Sequence, residues 1–402
     1  MNKKIGFFNM TALWFGAAIS LSEMMTGGLL TDAGFKKAVM GILIGHAIGA
    51  AILAAGAYIG ASSKLAAMES TSRSFGKLGT KLFASLNVIQ LIGWTTIMII
   101  VGARAFGDVS NGYFGIQTNL VWVFVIGALV FLWIFMGMNG MKYINTGAVI
   151  LLLFMTLVMT IQIFTGKSDI INAGGKGMSL GSIIELNVLM PLSWLPLAGD
   201  YTRFGTSRKF STLGCFLGYF IGSSWMYIAG VASSLVTGDS DPTKIFTTMH
   251  FGIVALLIIL LSTITTTFMD AYSAGVSIIN VSDKIDEKLA ALFITVAATL
   301  MALFFPMEQY ENFLYFIGSV FAPLFSIVFA DYFIFKKYSS EDNKIFKIDL
   351  LAIVFWVLGV ILYYEIKDMD IFLGVTVPVM LVTAAVYSLF RVILKRKFEK
   401  QI

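Results

Sequence analysis

Apolar runs of about 20 residues recur along the whole chain, and they restrict its possible folds more than any other feature. About 20 residues is the length that an α-helix needs to cross the hydrocarbon core of a bilayer. Only 13% of the 402 residues are charged, whereas soluble proteins carry about 25%. The sequence therefore predicts an all-α polytopic membrane protein, folded as a single transmembrane domain over residues 1–402.

Twelve of these runs are candidate transmembrane helices, which we number in chain order as spans one to twelve. Their predicted bounds are 7–30, 39–61, 82–106, 120–138, 144–165, 183–200, 213–236, 251–281, 290–305, 313–335, 350–364 and 371–393. Lys3 and Lys4 precede span one as they would precede a signal peptide. The run that follows is too long for one and contains Glu23, so we expect a retained first helix.

The basic residues are distributed unevenly between the two sets of loops. With the N-terminus inside, most of the 28 Lys and Arg residues fall on inside segments. The exceptions are Lys36, Lys37, Arg104, Lys167, Lys176, Lys244 and Lys367. The positive-inside rule then predicts a multi-pass protein of the inner or plasma membrane with both termini cytoplasmic. The formal charge of +5 follows from this bias and does not indicate a nucleic-acid partner.

Two spans contain residues that interrupt a helix. Span one includes the glycine- and serine-rich segment 16–28, and span six includes Pro191 and Pro196 within 191–200. Glycine loosens a helix, and proline removes a backbone donor and crowds the preceding turn. Secondary transporters place their substrate at mid-membrane between interrupted helices from the two halves of the fold. This pattern predicts a small-molecule carrier.

The positions of the two interruptions also suggest an internal repeat. The glycine-rich stretch 165–181 would connect the halves. The first repeat would then cover 1–165 and the second 182–335, in inverted orientation, with 350–393 forming two additional helices.

Span eight carries a hydroxyl-rich face. Ser262, Thr265 and Thr266 follow i, i+3, i+4 spacing and so lie on one side of a helix. Two hydroxyls and one carbonyl from this face, with two carbonyls freed in the broken span opposite, would give a hard cation such as sodium five oxygen ligands. The alternative is that the hydroxyls bond to the preceding turn of their own helix.

Two carboxylates lie at membrane depth, Glu23 in span one and Asp270 in span eight. A charge at that depth costs about 2.5–3.5 kcal/mol, so each is expected to face a polar cavity. Glu23 could accept two N–H donors from an aminopyrimidine edge, carry a proton, or cap a helix segment. We interpret His46 in span two as a packing residue.

Further candidates for substrate contact come from spans three and six. Trp94 and Trp194 offer flat faces for an aromatic ring, Ser193 a hydroxyl and Gln90 an amide. Ordinary packing is the alternative interpretation for each ring. At the inner end of span six, Asp200 and Arg203 could belong to a cytoplasmic gate or could anchor the end of the helix.

Other classes of function are less compatible with this sequence. Two histidines and one cysteine cannot build a zinc site, and no nucleophile–base pair is found at a common depth. We therefore expect neither an enzyme nor a cofactor, with sodium only as coupling ion. A channel is less expected because it does not need paired broken helices. Small-molecule substrate and lipid are the expected partners, without an obligatory protein partner.

Four sequence motifs resemble the nucleobase–cation symporter family one, in its cytosine permease branch and in particular the hydroxymethylpyrimidine permeases. They are Met24-Met25-Thr26-Gly27-Gly28, Gly93-Trp94, Asp200-Tyr201-Thr202-Arg203-Phe204-Gly205, and Thr265-Thr266 with Ala271-Tyr272-Ser273-Ala274-Gly275. The resemblance extends over most of the chain through span ten. It implies a LeuT-like fold of twelve helices, with a 5+5 inverted repeat plus two, and uptake coupled to sodium or protons.

By position, the resemblance implies a sodium site made by the carbonyls of Gly16, Ser20 and Ser262 and the hydroxyls of Thr265 and Thr266. It implies substrate contacts at Trp94 and Ser193.

The chain also departs from the family pattern. Pro191 occupies the position of a stacking aromatic residue, for which Trp194 could substitute one turn on. Leu91 stands where the family has a glutamine, with Gln90 adjacent, and Glu23 replaces a small polar residue.

These departures favour a basic aminopyrimidine, since a carboxylate can pair with an amino group and a protonated ring nitrogen together. Our hypothesis is a sodium-coupled symporter for a pyrimidine, best hydroxymethylpyrimidine. The alternative is a permease coupled to protons through Glu23 or Asp270, with cytosine, a purine or a related heterocycle as substrate.

Overall fold

The computed structural model describes residues 4–115, 118–166, 170–239, 241, 244–248, 253–282, 284–337 and 345–399. Inside its helices, the side chains of 112–114, 137–146, 148–149, 166, 247–248, 253 and 395–399 are not described. Within these limits the chain is helical, and its only β-type pairing is an isolated bridge between Ile5 and Gly205. The all-α prediction is confirmed.

Fifteen α-helices make up the described part of the fold. They are α1 (Phe7–Ala18), α2 (Leu21–Leu29), α3 (Phe35–Ser63), α4 (Ala67–Ser70), α5 (Ser72–Phe114), α6 (Asn119–Gly166), α7 (Leu180–Trp194), α8 (Ala198–Thr202), α9 (Arg208–Thr237), α10 (Ile245–Thr248), α11 (Ile253–Val281), α12 (Glu287–Met301), α13 (Tyr310–Phe329), α14 (Leu350–Ile366) and α15 (Thr376–Glu399). Short 3₁₀ turns at Leu30–Ala33, Ile170–Asn172, Leu195–Leu197 and Met307–Gln309 and a π-helical turn at Ala330–Ile334 complete the order.

Most predicted spans correspond to one helix or helix pair. Among the described residues, eight helices are long and apolar enough to cross a bilayer, and the bent pair α1–α2 can be counted as a ninth. Predicted spans four and five both lie on α6, whose 48 residues are assigned as one helix. That is more than twice the roughly 20 residues a crossing needs. The count of twelve is therefore not confirmed.

The loops meet at two opposite ends of the bundle. At one end, Lys176 pairs with Asp32 at 3.5 Å and Lys37 donates to the Met178 carbonyl. At the other, the Ile5 amide donates to the Phe204 carbonyl at 2.8 Å and Lys64 donates to the Gly205 carbonyl. Loops predicted to share a side thus touch each other, while the sidedness itself stays a prediction. Lys3, Lys167, Lys344, Lys400, His250 and the start of span eight lie outside the described residues.

Span one is broken where the sequence predicted. α1 and α2 meet at an angle of 55°. In a continuous helix the Ser20 amide would bond to the Gly16 carbonyl, but here it donates to the Ala18 carbonyl at 3.0 Å. Ser20 is extended and caps α2, since its hydroxyl accepts from the Glu23 amide. The break thus leaves backbone carbonyls of α1 without helical partners. A new helix begins at Leu21, with Glu23 in its first turn.

Span six is interrupted less than predicted. Pro191 lies inside α7 and does not end it, so the predicted interruption does not occur at this proline. A Cβ on Gly49 of α3 would meet the Pro191 ring, so α3 packs directly against this part of α7. The helix changes only at the 3₁₀ turn Leu195–Leu197, which contains Pro196, and continues to Thr202.

α9 packs against α1 and α2 at close range. A Cβ added at Gly222 would lie 2.9 Å from the Ala18 side chain and 3.0 Å from the Phe15 carbonyl oxygen. Small residues allow such close approach in membrane bundles. The result is that side chains of α9 reach the first turn of α2.

A buried carboxylate joins span six to the last two helices. Glu185 of α7 accepts hydrogen bonds from Tyr363 (2.8 Å), from the Thr376 hydroxyl (2.7 Å), and from the amides of Val375 (2.7 Å) and Thr376 (2.9 Å). Because those amides form the N-terminal turn of α15, the carboxylate also interacts favourably with the dipole of that helix. Four hydrogen-bond donors therefore satisfy the carboxylate of Glu185, a residue that is only 2% exposed.

We expect Glu185→Ala to lower the thermal stability of the purified protein strongly. The substitution leaves four buried donors without their acceptor, at a cost of about 1–3 kcal/mol for each unsatisfied group. Thermal unfolding in detergent measures the effect. Glu365→Ala, which removes an exposed carboxylate of α14, is the control and should leave the midpoint unchanged. Equal midpoints for the two variants would contradict this role.

Candidate functional site

A small cavity lies at the bend of span one. Its walls come from α2, α5, α7 and α11. The lining residues are Ser20, Ser22, Glu23, Trp94, Met98, Met190, Ser193, Trp194 and Asp270. Five of the six residues predicted to contact substrate are brought together here, and Gln90 is the exception.

Glu23 is held in the cavity wall by α9. Its Oε1 accepts from the Tyr219 hydroxyl and its Oε2 lies at the same distance, 2.6 Å, from the Ser223 hydroxyl. Ser223 in turn lies 2.5 Å from His46 Nε2 of α3. Tyr219 and Ser223 were not among the predicted site residues, although their i, i+4 spacing puts them on one face of α9. His46 is buried, as predicted, and also contacts this polar chain.

Two tryptophans from different helices line the cavity. Trp94 stands edge-on to Tyr310 and Phe313, with ring centroids 6.1 and 5.5 Å apart. Trp194 stands edge-on to Trp14 and Tyr219, at 6.1 and 6.4 Å. T-shaped contacts of this kind fix the orientation of a ring. Each wall therefore holds a rigid aromatic surface.

Gln90 supports the site from outside the lining. Its Nε2 donates to the Ser193 carbonyl at 2.8 Å and to Asn87 Oδ1 at 3.2 Å. The Ser193 hydroxyl, which does line the cavity, donates to the Met190 carbonyl at 2.7 Å. Gln90 thus satisfies a carbonyl beside the 3₁₀ turn of span six and fixes the cavity wall there.

One face of α11 carries buried polar atoms without partners. Ser262, Thr266 and Asp270 follow i, i+4, i+8 spacing and so form one row. Across the described residues, the Oγ of Ser262, the Oγ1 of Thr266 and the Oδ2 of Asp270 have no hydrogen-bond partner. Buried polar atoms normally find a partner, so this row is a candidate ligand-binding surface.

The oxygens predicted for sodium lie on elements in contact. α11 packs against both α1 and α2, on either side of the span-one break. The Thr265 hydroxyl donates to the Leu261 carbonyl at 2.7 Å, in the preceding turn of its own helix, as the alternative to a sodium site predicts. Its oxygen keeps lone pairs that can accept a cation. The Ser20 carbonyl accepts from the Met24 amide at 3.2 Å and likewise retains a lone pair.

Asp200 anchors the C-terminal end of span six. Its Oδ1 accepts from the Ala67 amide at 3.0 Å, in the first turn of α4. A carboxylate at a helix N-terminus is stabilised by the positive end of the helix dipole. This contact agrees with the anchoring interpretation.

Comparison with known proteins identifies the family. Residues 2–389 match the model of a family described as permeases for cytosine/purines, uracil, thiamine and allantoin. The chain belongs to this family. The family is the nucleobase–cation symporter family one, as the sequence motifs predicted.

Relatives and solved structures agree with that assignment. Cytosine permease of Escherichia coli K12 is 24% identical over 371 residues, covering 88% of this chain and 85% of that protein. A nucleobase-cation-symport-1 family transporter with bound bromovinylhydantoin superposes with a TM-score of 0.82 at 17% identity, covering 98% of this chain and 94% of that one. A Na⁺-coupled sialic acid symporter gives 0.67 at 13% identity, covering 96% and 88%. The last two show a LeuT-like fold.

This member of the family is therefore a multi-pass membrane permease, and not an enzyme.

Proposed function

We propose that this permease is a sodium-coupled symporter that imports a pyrimidine-type substrate, best hydroxymethylpyrimidine, with both termini cytoplasmic. The observation that carries the proposal is the cavity itself. It combines two fixed aromatic surfaces with two carboxyl groups at the break of span one. Such walls suit a flat, nitrogen-rich ring, which can stack on the aromatic surfaces and hydrogen-bond to the carboxyl groups.

The chemistry of the lining favours a substrate with N–H donors. Glu23 and Asp270 are acceptors when ionised, and an amino group beside a protonated ring nitrogen presents two donors to one carboxylate.

Sodium is the proposed coupling ion. The carbonyls at the span-one break and the hydroxyl face of α11 are neutral oxygens on neighbouring elements, as a hard cation needs. The break would be shared by ion and substrate, so that occupying one site orders the other. An inward potential of 100 mV contributes about 2.3 kcal/mol per charge, equivalent to a roughly fifty-fold gradient.

The second candidate is a proton-coupled permease for cytosine, a purine or a related nitrogen heterocycle. The contact chain from Glu23 through Ser223 to His46 favours it, because these groups can bind a proton. Uptake that depends on a pH gradient and not on sodium would support this candidate over the first.

A thermal-shift screen tests the proposal. The purified protein is heated with hydroxymethylpyrimidine, cytosine, adenine or hydantoin, each in sodium chloride and in choline chloride. We expect hydroxymethylpyrimidine to raise the melting temperature most, and more in sodium than in choline, because binding to the folded state stabilises it. A shift of equal size in both salts would contradict sodium coupling, and the lack of any shift with pyrimidines would contradict the substrate.

A further inference from the structure

The polar and apolar side chains of the cavity come from different walls. The turn that starts α2 contributes two serines and Glu23, and α11 contributes Asp270. From α5 the lining receives Trp94 and Met98, whose side chains are mostly carbon. α7 adds Met190 beside a serine and a tryptophan. Both carboxyl groups therefore belong to one pair of helices, and both methionines belong to another pair.

The two helices that carry the methionines run in opposite directions. The Asn87 side-chain amide of α5 donates to the Pro196 carbonyl at 3.5 Å, and Gln90, one turn further along, donates to the Ser193 carbonyl at 2.8 Å. Residue numbers thus rise along α5 as they fall along span six. These contacts set the depth of one helix against the other.

This register brings three apolar side chains to one end of the cavity. Trp94 and Met98 follow Gln90 by one and two turns, or roughly 6 and 12 Å along α5 at 1.5 Å per residue. Met190 precedes Ser193 by three residues, or about 4.5 Å in the same direction. Met190 therefore lies close to the depth of Trp94, and Met98 lies about one turn beyond. We call Trp94, Met98 and Met190 the apolar corner.

Met98 is buried without belonging to the hydrophobic core of the described residues. It is 3% exposed, yet it lies outside the contiguous core that includes its chain neighbours Ile97 and Ile99. Met190 is 1% exposed and belongs to that core. The part of Met98 that borders the cavity is thus available to pack against an apolar group of a bound ligand.

Methionine adapts its shape to a neighbouring group more readily than a branched side chain does. It has three rotatable bonds, and its thioether makes favourable contacts with aromatic rings. The two methionines can therefore close around an alkyl group on a ring that stacks on Trp94. The donors of the same ring would remain free to reach Glu23 and Asp270, which lie on the other two helices.

We propose that Met98 and Met190 are specificity-determining residues that recognise an alkyl substituent on the heterocycle. The permease then prefers an alkylated ring to the bare ring, because transfer of the substituent from water to the apolar corner adds to binding. For a pyrimidine this inference rests on the proposed function. It adds to that function the class of ring substituent that the cavity selects.

Pairs of ligands that differ by one methyl group test the preference. The first pair is 4-amino-5-hydroxymethylpyrimidine with and without a methyl group at C2, and the second is hydantoin with and without a methyl group at C5. Isothermal titration of the purified protein gives each Kd. In the ring class that binds, we expect the methylated member to bind about ten-fold more tightly, the lower end of the effect of one methylene group in an apolar pocket.

Substitution of the methionines tests their role. Met98→Gln and Met190→Gln keep the length of the side chain and make it polar. Each should lower the ratio of the two Kd values, and the double variant should bring it close to one, whereas leucine at either position should keep it. The ratio cancels any general loss of affinity. Met226→Gln is the matched control, since Met226 is buried on α9 and does not line the cavity, so it should leave the ratio unchanged.

Met98→Ala keeps the inference testable if the glutamine variants do not fold. It makes room in the apolar corner, so a 2-ethyl pyrimidine should gain on the 2-methyl pyrimidine by about four-fold relative to the wild type, the effect of burying one more CH₂ group. An unchanged ratio of these two Kd values would count against Met98.

The outcomes separate this inference from the proposed substrate. Equal binding of both members of each pair by the wild type would overturn it, as would a methyl preference that survives in the double glutamine variant. If only the hydantoins bind and their methyl preference depends on the methionines, the proposed substrate fails and the inference stands. If neither ring class binds, both fail.

Discussion

Replacing Thr265 and Thr266 together by alanine is expected to abolish the stimulation of uptake by sodium. The two hydroxyls supply two of the five oxygens of the proposed ion site, and the Oγ1 of Thr266 is buried without a protein partner in the described structure. Three carbonyls alone bind a hard cation weakly. Without the coupled charge, the accumulation ratio at 100 mV should fall by roughly fifty-fold. Uptake of labelled substrate by proteoliposomes in sodium and in choline measures the loss.

A neighbouring threonine provides the control for that experiment. Thr267 is buried in the same helix but lies on a different face, and its hydroxyl donates to the Thr263 carbonyl at 2.5 Å. Thr267→Ala removes one hydroxyl from α11 without touching the proposed ion ligands, so sodium stimulation should be kept. Full sodium stimulation in the double variant would exclude these hydroxyls as ligands.

Loss of either cavity tryptophan is expected to weaken substrate binding strongly. Stacking of a base on an aromatic side chain contributes about 1–3 kcal/mol. Trp94→Ala and Trp194→Ala should therefore each raise the Kd by roughly ten- to hundred-fold. Phenylalanine at the same positions should recover much of the affinity, because it keeps a flat ring. Isothermal titration with hydroxymethylpyrimidine measures each value.

Trp225→Ala is the matched control for the two rings. Trp225 is on α9, donates to the Thr160 hydroxyl at 2.8 Å and does not line the cavity. Its loss should leave the Kd unchanged even if it lowers stability. Were Trp94→Ala and Trp194→Ala to bind as tightly as Trp225→Ala, the rings would serve packing alone.

The bend of span one could be predicted because its cause is local. Gly16 weakens the helix just before the bend, and Ser20 can cap the helix that begins after it. Pro191 shows the limit of the same argument. Its ring packs directly against Gly49 of α3, and no local pattern relates two positions so far apart in sequence.

The candidate site was predictable in its residue types but not in its connections. A carboxylate at membrane depth had to face something polar, which placed Glu23 in a cavity wall. Its partners on α3 and α9 depend on the close packing that Gly222 permits between α9 and α1. Gln90 illustrates the same point, since its amide satisfies the Ser193 carbonyl and does not reach the cavity. Such pairings follow from tertiary packing, which single-sequence periodicity does not encode.

Accumulation of labelled hydroxymethylpyrimidine in proteoliposomes, with an inward sodium gradient and an inside-negative potential, tests the central claim most directly. We expect accumulation above the external concentration that collapses when a sodium ionophore is added. Accumulation that is unchanged when choline replaces sodium, or entry that stops at equal concentrations, would contradict coupling between an ion at the span-one break and a pyrimidine in the adjoining cavity.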